Sequence, residues 1–449
     1  MKVAKFGGTS LANAEQIKKV CSIITSDSER RLVVVSAPGK RSRDDIKVTD
    51  LLIKCALKYI SDGAAEEELK AVVGRYAEIS RDLNLDSGIV ELIENDLRQR
   101  MSNYGNDNDR FMDSMKAAGE DNTAKLVAKY LNSLGLEASY INPREAGMLL
   151  SDEFGNARVL PESYEKLEKL KDKSGIMIFP GFFGYSKGGD VVTFPRGGSD
   201  ITGSILAAAI KAEVYENFTD VDSVFVANPN IISNPKAISV LTYREMRELS
   251  YAGFSVLHEE TLEPVYRMGI PVCIKNTNNP SAQGTLIVLK REINNGPVAG
   301  IASDSGFCNI FVSKYMMNRE VGFGRKLLQI FEDEGLSYEH IPSGIDNISV
   351  ILREKQFDET TEQRMLKRIR EELSVDDVTV ERNRALVMIV GEGMTRTVGI
   401  AVRATGALAG ANVNIEMINQ GSSEVSLMFG IKSEDAVNAV KSLYQEFFG

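Results

Sequence analysis

The chain has 449 residues, 43% of them hydrophobic, which is enough for two or three domains with sizeable cores. Its formal net charge of −10 and its lack of a basic tract argue against nucleic acid or an anionic membrane surface as a partner. No apolar run is long enough to cross a bilayer, and a strand-like run directly after Met1-Lys2 predicts that no signal peptide is present.

The first predicted element is a short strand, Val3 to Phe6, that runs into a glycine-rich loop. The loop reads Lys5-Phe6-Gly7-Gly8-Thr9-Ser10 and is followed by a helical pattern through Val20. Glycines let backbone N–H groups approach a ligand closely, and Ser10 is a good N-cap residue. A lysine, free amides and the positive end of a helix together suit a phosphate group. The lysine precedes the glycines, so this is not a Walker A loop; the alternative is an ordinary strand-to-helix turn with a surface lysine.

Strand-like runs then alternate with amphipathic helical patterns as far as about Leu289. This alternation predicts an α/β fold with a largely parallel sheet covered by helices on both faces. Residues 61–116 look wholly helical and strongly charged, and we interpret them as a helical insertion outside the sheet. Other predicted helices include 51–59 and 123–134, and the later predicted strands are 32–35, 138–141, 176–179, 191–194, 214–218, 272–274 and 286–289.

A second glycine-rich loop repeats the construction of the first. Arg196-Gly197-Gly198-Ser199-Asp200 follows a strand-like run and opens a helix that extends to Lys211, with Ser199 as its expected cap. The preceding stretch, Gly181 to Asp190, is expected to be a hairpin turn beside this loop. Both helix starts follow the carboxyl ends of strands, where open α/β sheets bind their ligands. Two such units in one chain predict a phosphate or carboxylate site.

The C-terminal third contains an internal repeat with constant spacing (399 − 322 = 77). Matching positions include Gly322 and Gly399, Leu336 and Val413, and Gly344 and Gly421. Each copy reads strand, glycine-containing loop, helix, strand, turn, strand, which is typical of ferredoxin-like βαββαβ units. We expect residues 305–384 to form one small domain nested within a second, built from residues 297–304 and 385–449. Such paired domains behind a ligand-binding domain of residues 1–290 suggest regulation.

Cysteine and histidine usage narrows the chemistry further. The four cysteines are scattered without a C-x-x-C pair, which suits a reducing, cytoplasmic setting. His258-Glu259-Glu260 begins like a zinc-protease helix, but the second histidine would fall at Leu262. Gly391-Glu392-Gly393 begins like a dinucleotide fingerprint, but Arg396 replaces its third glycine. We therefore expect chemistry by lysine, arginine, carboxylates and a hard cation, with no metal site built by the protein alone.

Taken together, these motifs resemble the monofunctional aspartokinases along nearly the whole chain. The resemblance is carried by Lys5 to Ser10, Thr49-Asp50-Leu51-Leu52, Gly119-Glu120, Arg196 to Asp200 and Thr219-Asp220-Val221. It implies an amino-acid-kinase domain, a three-layer αβα sandwich, followed by two ferredoxin-like ACT domains that correspond to the repeat. It leaves no room for the dehydrogenase domain of the bifunctional homologues.

The resemblance implies an ATP-dependent kinase that, with Mg²⁺, transfers the γ-phosphoryl group to the β-carboxylate of L-aspartate. The product, 4-phospho-L-aspartate, would start the biosynthesis of lysine, threonine and methionine. The implied partners are aspartate, MgATP, an inhibitory amino acid and further copies of the chain, paired through the ACT domains as a dimer or tetramer. Lysine is the first candidate effector and threonine the second.

The resemblance also assigns roles to individual residues. Lys5 and Asp200 are the expected catalytic pair, with Lys5 beside the transferring phosphoryl group and Asp200 orienting Lys5 and placing Mg²⁺ through water. Arg196 suits a bidentate grip on the α-carboxylate of the substrate, and Glu120 suits its α-ammonium group. The expected substrate-binding residues are Ser36, Thr49, Glu120, Arg196 and Ser199; the nucleotide-binding residues are Lys5, Gly7, Gly8, Gly198, Thr219, Asp220 and Phe225; and the effector residues are Val321, Gly322, Phe323, Gly324, Glu339 and Ser343.

Two positions depart from the family pattern near the expected triphosphate. Asn230 stands where the family has an arginine, and Ser255 stands where it has a lysine; Lys275 is the candidate replacement. Two alternatives remain open: another kinase with the amino-acid-kinase fold, and a non-catalytic amino-acid sensor. The missing cations favour the sensor, and the intact charged residues of the two glycine-rich loops oppose it.

Overall fold

The computed structural model describes residues 1–254, 257, 259–293, 296–421 and 425–449. Ser255 and His258, both singled out from the sequence, lie outside the described residues. The chain divides into two compact units. The first comprises Met1–Val224, Ala237–Met246 and Ser255–Arg291, and the second comprises Phe225–Lys236, Arg247–Phe254 and Glu292–Gly449. Within the described ranges, no helix combines the length and the apolar character that a membrane span requires.

Strands and helices alternate along the first unit. Its strands are β1 (Lys2–Phe6), β2 (Arg30–Val35), β3 (Ala138–Tyr140), β4 (Ile176–Pro180), β5 (Phe183–Tyr185), β6 (Val191–Thr193), β7 (Tyr215–Thr219), β8 (Val240–Thr242), β9 (Val272–Asn276) and β10 (Thr285–Val288). Its helices are α1 (Ala14–Thr25), α2 (Val48–Asp62), α3 (Glu66–Asp82), α4 (Gly88–Ser102), α5 (Asn108–Ser133), α6 (Pro143–Ala146), α7 (Glu162–Glu168), α8 (Gly198–Ile210) and α10 (Glu263–Met268), and α9 (Tyr243–Tyr251) begins in this unit and ends in the second.

An eight-stranded sheet forms the centre of the first unit, in the order β3-β4-β2-β1-β7-β9-β10-β8. Its neighbouring strands are parallel except for β9 and β10, which are antiparallel. The expectation of a mostly parallel sheet is therefore confirmed. The stretch expected to be a hairpin turn contains a strand of its own, because β5 pairs with β6 and only Ser186 to Asp190 forms the turn.

Helices pack on both faces of this sheet. Successive side chains of each strand point to opposite faces, so neighbouring residues of β1 contact different helices. On one face, Ala4 and Phe6 of β1 join a hydrophobic cluster to which α1 to α5 contribute. On the opposite face, Lys5 contacts α8, whose side chains are mostly small and buried. The three-layer αβα arrangement is thus present.

The charged segment 61–116 is helical, contributes no strand to the sheet, and shares a hydrophobic cluster with it. Leu69 and Val72 of α3 and Ile93 of α4 belong to the same hydrophobic cluster as Phe6 of the central strand. Helix α5 runs unbroken from Asn108 to Ser133, so the end of the segment and the predicted helix at 123–134 are one element. An apolar stripe on these charged helices packs in this cluster. The expectation of a helical segment that is not part of the sheet is confirmed, and its status as an insertion stays a prediction.

Two predicted helix caps are also wrong. Helix α1 is capped by Asn13, whose side chain accepts a hydrogen bond from Gln16 N, whereas Ser10 lies in a preceding 3₁₀ turn and its hydroxyl bonds that of Thr277 at 2.7 Å. Helix α8 starts after Gly197, which has a φ of 83°, so Ser199 is the second residue of the helix rather than its cap. A left-handed glycine suffices to turn the chain into the helix there.

The second unit holds the repeat. Its strands are β11 (Gly300–Ser313), β12 (Asn347–Arg353), β13 (Asp377–Val390), β14 (Met417–Asn419) and β15 (Ser426–Lys432), and its further helices are α11 (Phe323–Asp333), α12 (Glu359–Leu373), α13 (Ile400–Gly410) and α14 (Ala436–Phe448). The strands form an antiparallel sheet in the order β12-β11-β13-β15-β14. Helices α11 and α13 keep the repeat spacing, since each follows a left-handed glycine, Gly322 (φ 81°) or Gly399 (φ 90°).

Strands β11 and β13 each serve both copies of the repeat. The first half of β11, Gly300–Ser305, pairs with residues 385–390 of β13, and its second half pairs with β12 and with residues 377–381 of β13. A strand that precedes the first copy in sequence therefore lies in the sheet beside the second copy. The nested arrangement of residues 297–304, 305–384 and 385–449 requires this pairing; the domain limits themselves stay a prediction.

Candidate active site

The carboxyl ends of three neighbouring strands of the first unit form the edge from which the glycine-rich loops start. Strand β1 lies between β2 and β7, with Phe6 opposite both Val35 and Phe218. The residues that follow these strands, Gly7 and Ser36 among them, consequently leave the sheet from one edge. The loops after β1 and β2 touch there, since Gly39 N donates to Gly8 O at 2.8 Å.

A buried lysine lies at this edge with a fixed carboxylate partner. Lys5 is only 6% exposed, and its Nζ lies 2.6 Å from Asp200 Oδ1 of α8 and 3.4 Å from Asn217 Oδ1 of β7. Asn217 Nδ2 donates to the same Asp200 oxygen at 2.6 Å. A Cβ added to Gly7 would lie 3.5 Å from Lys5 Nζ, so the ammonium group faces the glycine loop. The expected pairing of Lys5 with Asp200 is present as geometry.

Helix α8, which carries Asp200, packs closely against Tyr215 of β7. A Cβ added to Gly203 would lie 2.5 Å from the Tyr215 hydroxyl, so only glycine permits this approach. The Tyr215 hydroxyl donates to Asp200 O at 3.2 Å, and burial raises the pKa of Tyr215 well above its ordinary value, which keeps the hydroxyl a neutral donor. These contacts fix the start of α8 and hence the carboxylate that holds Lys5.

The backbone donors of the first loop differ from expectation. Gly7 N donates to Phe218 O at 3.1 Å and thereby extends the pairing of β1 with β7. The Gly7 amide is therefore bonded within the sheet rather than free, and the nucleotide-binding role of Gly7 stays a prediction. The close packing is at Gly8 instead, where an added Cβ would lie 2.9 Å from Ala37 O.

Glu120 is a buried carboxylate with no cation beside it in the part of the chain that the structure describes. It lies on α5 and is 6% exposed, and its Oε2 has no hydrogen-bond partner among the described residues. Desolvation raises the pKa of Glu120 to about 8, although a hydrogen bond from the Ala37 backbone opposes the shift. A Cβ added to Gly119 would lie 2.8 Å from Ala37 Cβ, so glycine lets α5 press against the loop after β2. An ammonium group is the ligand that such a carboxylate would stabilise most.

The remaining predicted substrate residues have different surroundings. Arg196 is exposed, and within the described part of the chain it has no carboxylate partner and no hydrogen bond to the Lys5 cluster. Ser199 is buried, with its Oγ 2.6 Å from where a Cβ on Gly181 would stand. Thr49 is partly exposed and is the second residue of α2, a helix whose N-cap is Lys47.

The predicted nucleotide residues are divided between the two units. Thr219 ends β7, its hydroxyl donates to Asp220 Oδ1 at 3.2 Å, and Asp220 is exposed. Gly198 is the first residue of α8 and is buried. Phe225 and Asn230 belong to the second unit, where Asn230 is exposed.

Two residues that contact Asp200 were missed by the sequence reasoning, Asn217 and Tyr215. Both lie on β7, within a run predicted as an ordinary buried strand. Asn217 was detectable in principle, because an amide in a strand buried on both faces needs a polar partner.

The predicted effector residues belong to the second unit. Val321 is 95% exposed, and Gly322 precedes α11, which begins with Phe323 and Gly324. Glu339 already has partners in its own unit, since it accepts hydrogen bonds from Tyr251 and, at 3.2 Å, from Arg353 Nε. Ser343 lines a cavity of about 540 Å³, whose other lining residues include Arg384 and Glu416.

Known proteins resemble the chain over its full length. Residues 1–276 match the model of the amino acid kinase family, and residues 387–447 match an ACT domain model. Aspartokinase 3 of Bacillus subtilis is 58% identical over 448 residues, which cover 100% of this chain and 99% of that protein. The crystal structure of Clostridium acetobutylicum aspartate kinase, described as an allosteric enzyme, is 41% identical with a TM-score of 0.88, each chain being covered in full.

Two crystal structures of E. coli aspartokinase III match in the same way, covering 100% of both chains. One contains aspartate and ADP (R-state; 27% identity, TM-score 0.81), and the other contains lysine and aspartate (T-state; 28% identity, TM-score 0.80).

Proposed function

The chain belongs to the aspartokinases of the amino acid kinase family, which are ATP-dependent kinases with C-terminal ACT domains, and we propose that it converts L-aspartate and MgATP into 4-phospho-L-aspartate and ADP. The observation that carries this proposal is the buried Lys5, held by Asp200 and Asn217 beside the first glycine loop. The aspartate and ADP in the structure of E. coli aspartokinase III support the choice of substrates. The product would enter the biosynthesis of lysine, threonine and methionine.

The chemical difficulty of this reaction is that a carboxylate must attack a triphosphate of the same charge sign. Lys5 is the group proposed to offset the charge that develops on the transferring phosphoryl oxygens. Asp200 Oδ1 holds Lys5 in place, whereas its Oδ2 has no hydrogen-bond partner among the described residues and is suited to a water molecule of the Mg²⁺ shell. The Mg²⁺ arrives with ATP and would neutralise phosphate charge.

Amino-acid recognition is proposed to use opposite charges at the two ends of the substrate backbone. Glu120 would take the α-ammonium group, which pairs its buried carboxylate and restores its ionised form. Arg196, exposed and without a carboxylate partner in the described ranges, would take the α-carboxylate. Ser36, Thr49 and Ser199 would add hydroxyl donors.

For the nucleotide, we propose the amides of Gly8 and Gly198 as phosphate donors and Thr219, Asp220 and Phe225 as flanking residues. Gly198 stands at the start of α8, where N–H groups lack helical partners.

The regulatory part of the proposal concerns the second unit. We propose that it contains two nested ACT domains, residues 305–384 and residues 297–304 with 385–449. Lysine is proposed as the inhibitor, bound at Val321 to Gly324 with Glu339 and Ser343, and the lysine complex of E. coli aspartokinase III supports that choice. Copies of the chain are proposed to associate through these domains, as a dimer or a tetramer.

The deciding experiment compares ATP-dependent hydroxamate formation with aspartate, glutamate and acetylglutamate as substrates. Turnover confined to aspartate is the expected result. Preference for either other carboxylate would favour a different kinase of the same fold. A folded protein without turnover on any of them would favour an amino-acid sensor.

A further inference from the structure

Arg75 is a buried arginine of α3 whose guanidinium group mostly binds main-chain carbonyls instead of a single carboxylate. Nη1 donates to Ile46 O at 2.9 Å and to Asp45 Oδ2 at 3.1 Å. Nη2 donates to Gly39 O at 3.1 Å and to Ala12 O at 3.4 Å. Since only 6% of Arg75 is exposed, these bonds form largely out of water, where losing them is costly.

The carbonyls that Arg75 binds lie on the loops that flank the candidate active site. Gly39 and Ile46 belong to the segment between Ser36 and Thr49, two of the proposed substrate-binding residues. Gly39 N in turn donates to Gly8 O at 2.8 Å, which ties this segment to the first glycine loop. Arg75 thus bridges both ends of an irregular segment that has little regular structure of its own.

Arg75 is itself held firmly. Helix α3 is anchored in the hydrophobic cluster by residues on both sides of Arg75, among them Val72 and Ile79. Asp45 also accepts a hydrogen bond from Arg41 at 2.9 Å, which lowers the pKa of Asp45 well below its ordinary value and keeps it charged opposite Arg75. The Arg75 guanidinium group is therefore held in a fixed position, and its hydrogen bonds hold residues 36–49 relative to α3.

We infer that Arg75 is a positioning residue for the amino-acid substrate: it sets the path of residues 36–49, so that Ser36 and Thr49 meet aspartate in one arrangement. The inference rests on the proposed function of those two residues. It gives the helical layer of α3 a part in substrate recognition, beyond packing on the sheet.

Kinetics of Arg75→Met and Arg75→Lys test this inference, with Thr49→Ala as the reference for the substrate role. In Arg75→Met we expect the aspartate KM to rise about tenfold, because a slightly misplaced binding group loses much of its effect, while the ATP KM stays within about twofold. The aspartate KM of Arg75→Lys should lie between those of the parent and Arg75→Met. An ammonium group donates hydrogen bonds from a single atom and cannot reach both ends of the segment.

A matched control is Arg100→Met, which removes a partly buried arginine of the helical layer. Arg100 binds Asp96 and Asp121 and contacts none of residues 36–49 among the described bonds. It should lower the melting temperature without raising the aspartate KM. Hydrogen exchange of peptides from residues 36–48 gives a readout independent of activity: exchange should speed up in Arg75→Met and stay unchanged in Arg100→Met.

The possible failures are distinguishable. If Thr49→Ala raises the aspartate KM but both Arg75 variants leave it within about twofold, the inference is overturned and the proposed function stands. If Thr49→Ala leaves the aspartate KM unchanged, the proposed role of residues 36–49 in substrate binding is wrong. If hydrogen exchange is also unchanged in the Arg75 variants, the inference about Arg75 is overturned as well. If Arg75→Met does not fold, Arg75→Lys and Asp45→Asn, which loosen the same contacts, decide in its place.

Discussion

Lys5 lies directly opposite Asn217 across the β1–β7 pair, and both side chains bond the same carboxylate oxygen of Asp200. The position of one ammonium group on β1 thus depends on α8 and β7, two consecutive elements that lie far from β1 in sequence. A lysine held in this way needs little reorganisation when negative charge develops beside it, which is the condition for strong electrostatic catalysis.

Removal of the Lys5 ammonium should lower turnover more than substrate affinity. For Lys5→Ala we expect kcat to fall roughly 10²–10³-fold, the usual effect of losing one preorganised electrostatic contact, with a much smaller change in the aspartate KM. Lys2→Ala is the control, since Lys2 is on the same strand but pairs with Asp27. Steady-state kinetics decide the matter, and a kcat within about threefold of the parent in Lys5→Ala would exclude Lys5 from the mechanism.

Ionisation of Glu120 should make the stability of the ligand-free protein fall with pH. Burial raises the pKa of Glu120 from 4.5 to about 8, so between these values the unfolded chain releases the proton and the native protein keeps it. The free energy of unfolding should then decrease as pH rises through this window, by at most about 1.4 kcal/mol per pH unit. Urea unfolding of the parent and of Glu120→Gln at several pH values measures the difference, and equal slopes for both proteins would contradict the prediction.

Bound aspartate should remove much of this pH dependence. An ammonium group beside Glu120 favours the ionised carboxylate, so binding should release a proton and the aspartate Kd should rise as the pH falls below about 8. Calorimetry in two buffers of different ionisation enthalpy measures the proton count. No proton release at pH 7 would separate Glu120 from the α-ammonium group.

The two glycine loops show what the sequence could and could not predict. Apolar runs marked most strands of the mostly parallel sheet, because strands buried on both faces have few polar positions. The loop residues themselves were found, but the partner of the Gly7 amide depends on β7, more than 200 residues away. Caps such as Asn13 also escaped, since several neighbouring polar residues could cap equally well.

Buried polar networks were the second feature that could not be predicted from the sequence. Arg75 lies in the strongly charged segment interpreted as a helical insertion, yet it is almost fully buried. Apart from Asp45, its partners are backbone carbonyls, which every residue carries, so no sequence pattern identifies them.

Arg196 should act as the anchor for the α-carboxylate. Arg196→Lys keeps the charge but loses the two-pronged geometry, so we expect the aspartate KM to rise about tenfold. The parent should reject β-alanine, which lacks the α-carboxylate, because Arg196 would then be left unpaired. Arg267→Lys, which changes an exposed arginine paired with Glu263, should behave like the parent. Unchanged discrimination in Arg196→Lys would contradict this assignment.

Equivalent glycines of the repeat allow a controlled test of the effector site. Gly322 and Gly399 have φ values of 81° and 90° and no atom within 4 Å of an added Cβ, so either alanine variant should lose about 1–2 kcal/mol through backbone strain alone. Only Gly322→Ala should weaken inhibition by lysine. Initial rates are measured against lysine, threonine and both together, beside chemical unfolding.

Two outcomes would count against the effector assignment. If neither amino acid changes the rate of the parent, the regulatory ligand is a different one. If Gly322→Ala and Gly399→Ala are inhibited alike, the loop before α11 is not the site that distinguishes the two copies.

Because β11 pairs with strands of both copies of the repeat, its sequence limits how genes for such proteins can recombine. A crossover near residue 384 would join one parent's Gly300–Ser305 to the other parent's residues 385–390, two strand segments that must pair side by side. A mismatch there would leave a poorly paired strand edge, which invites aggregation. A crossover before residue 297 would transfer both partners together. We therefore expect functional hybrids to take residues 300–305 and 385–390 from the same parent, and inherited junctions between these two segments to be rare.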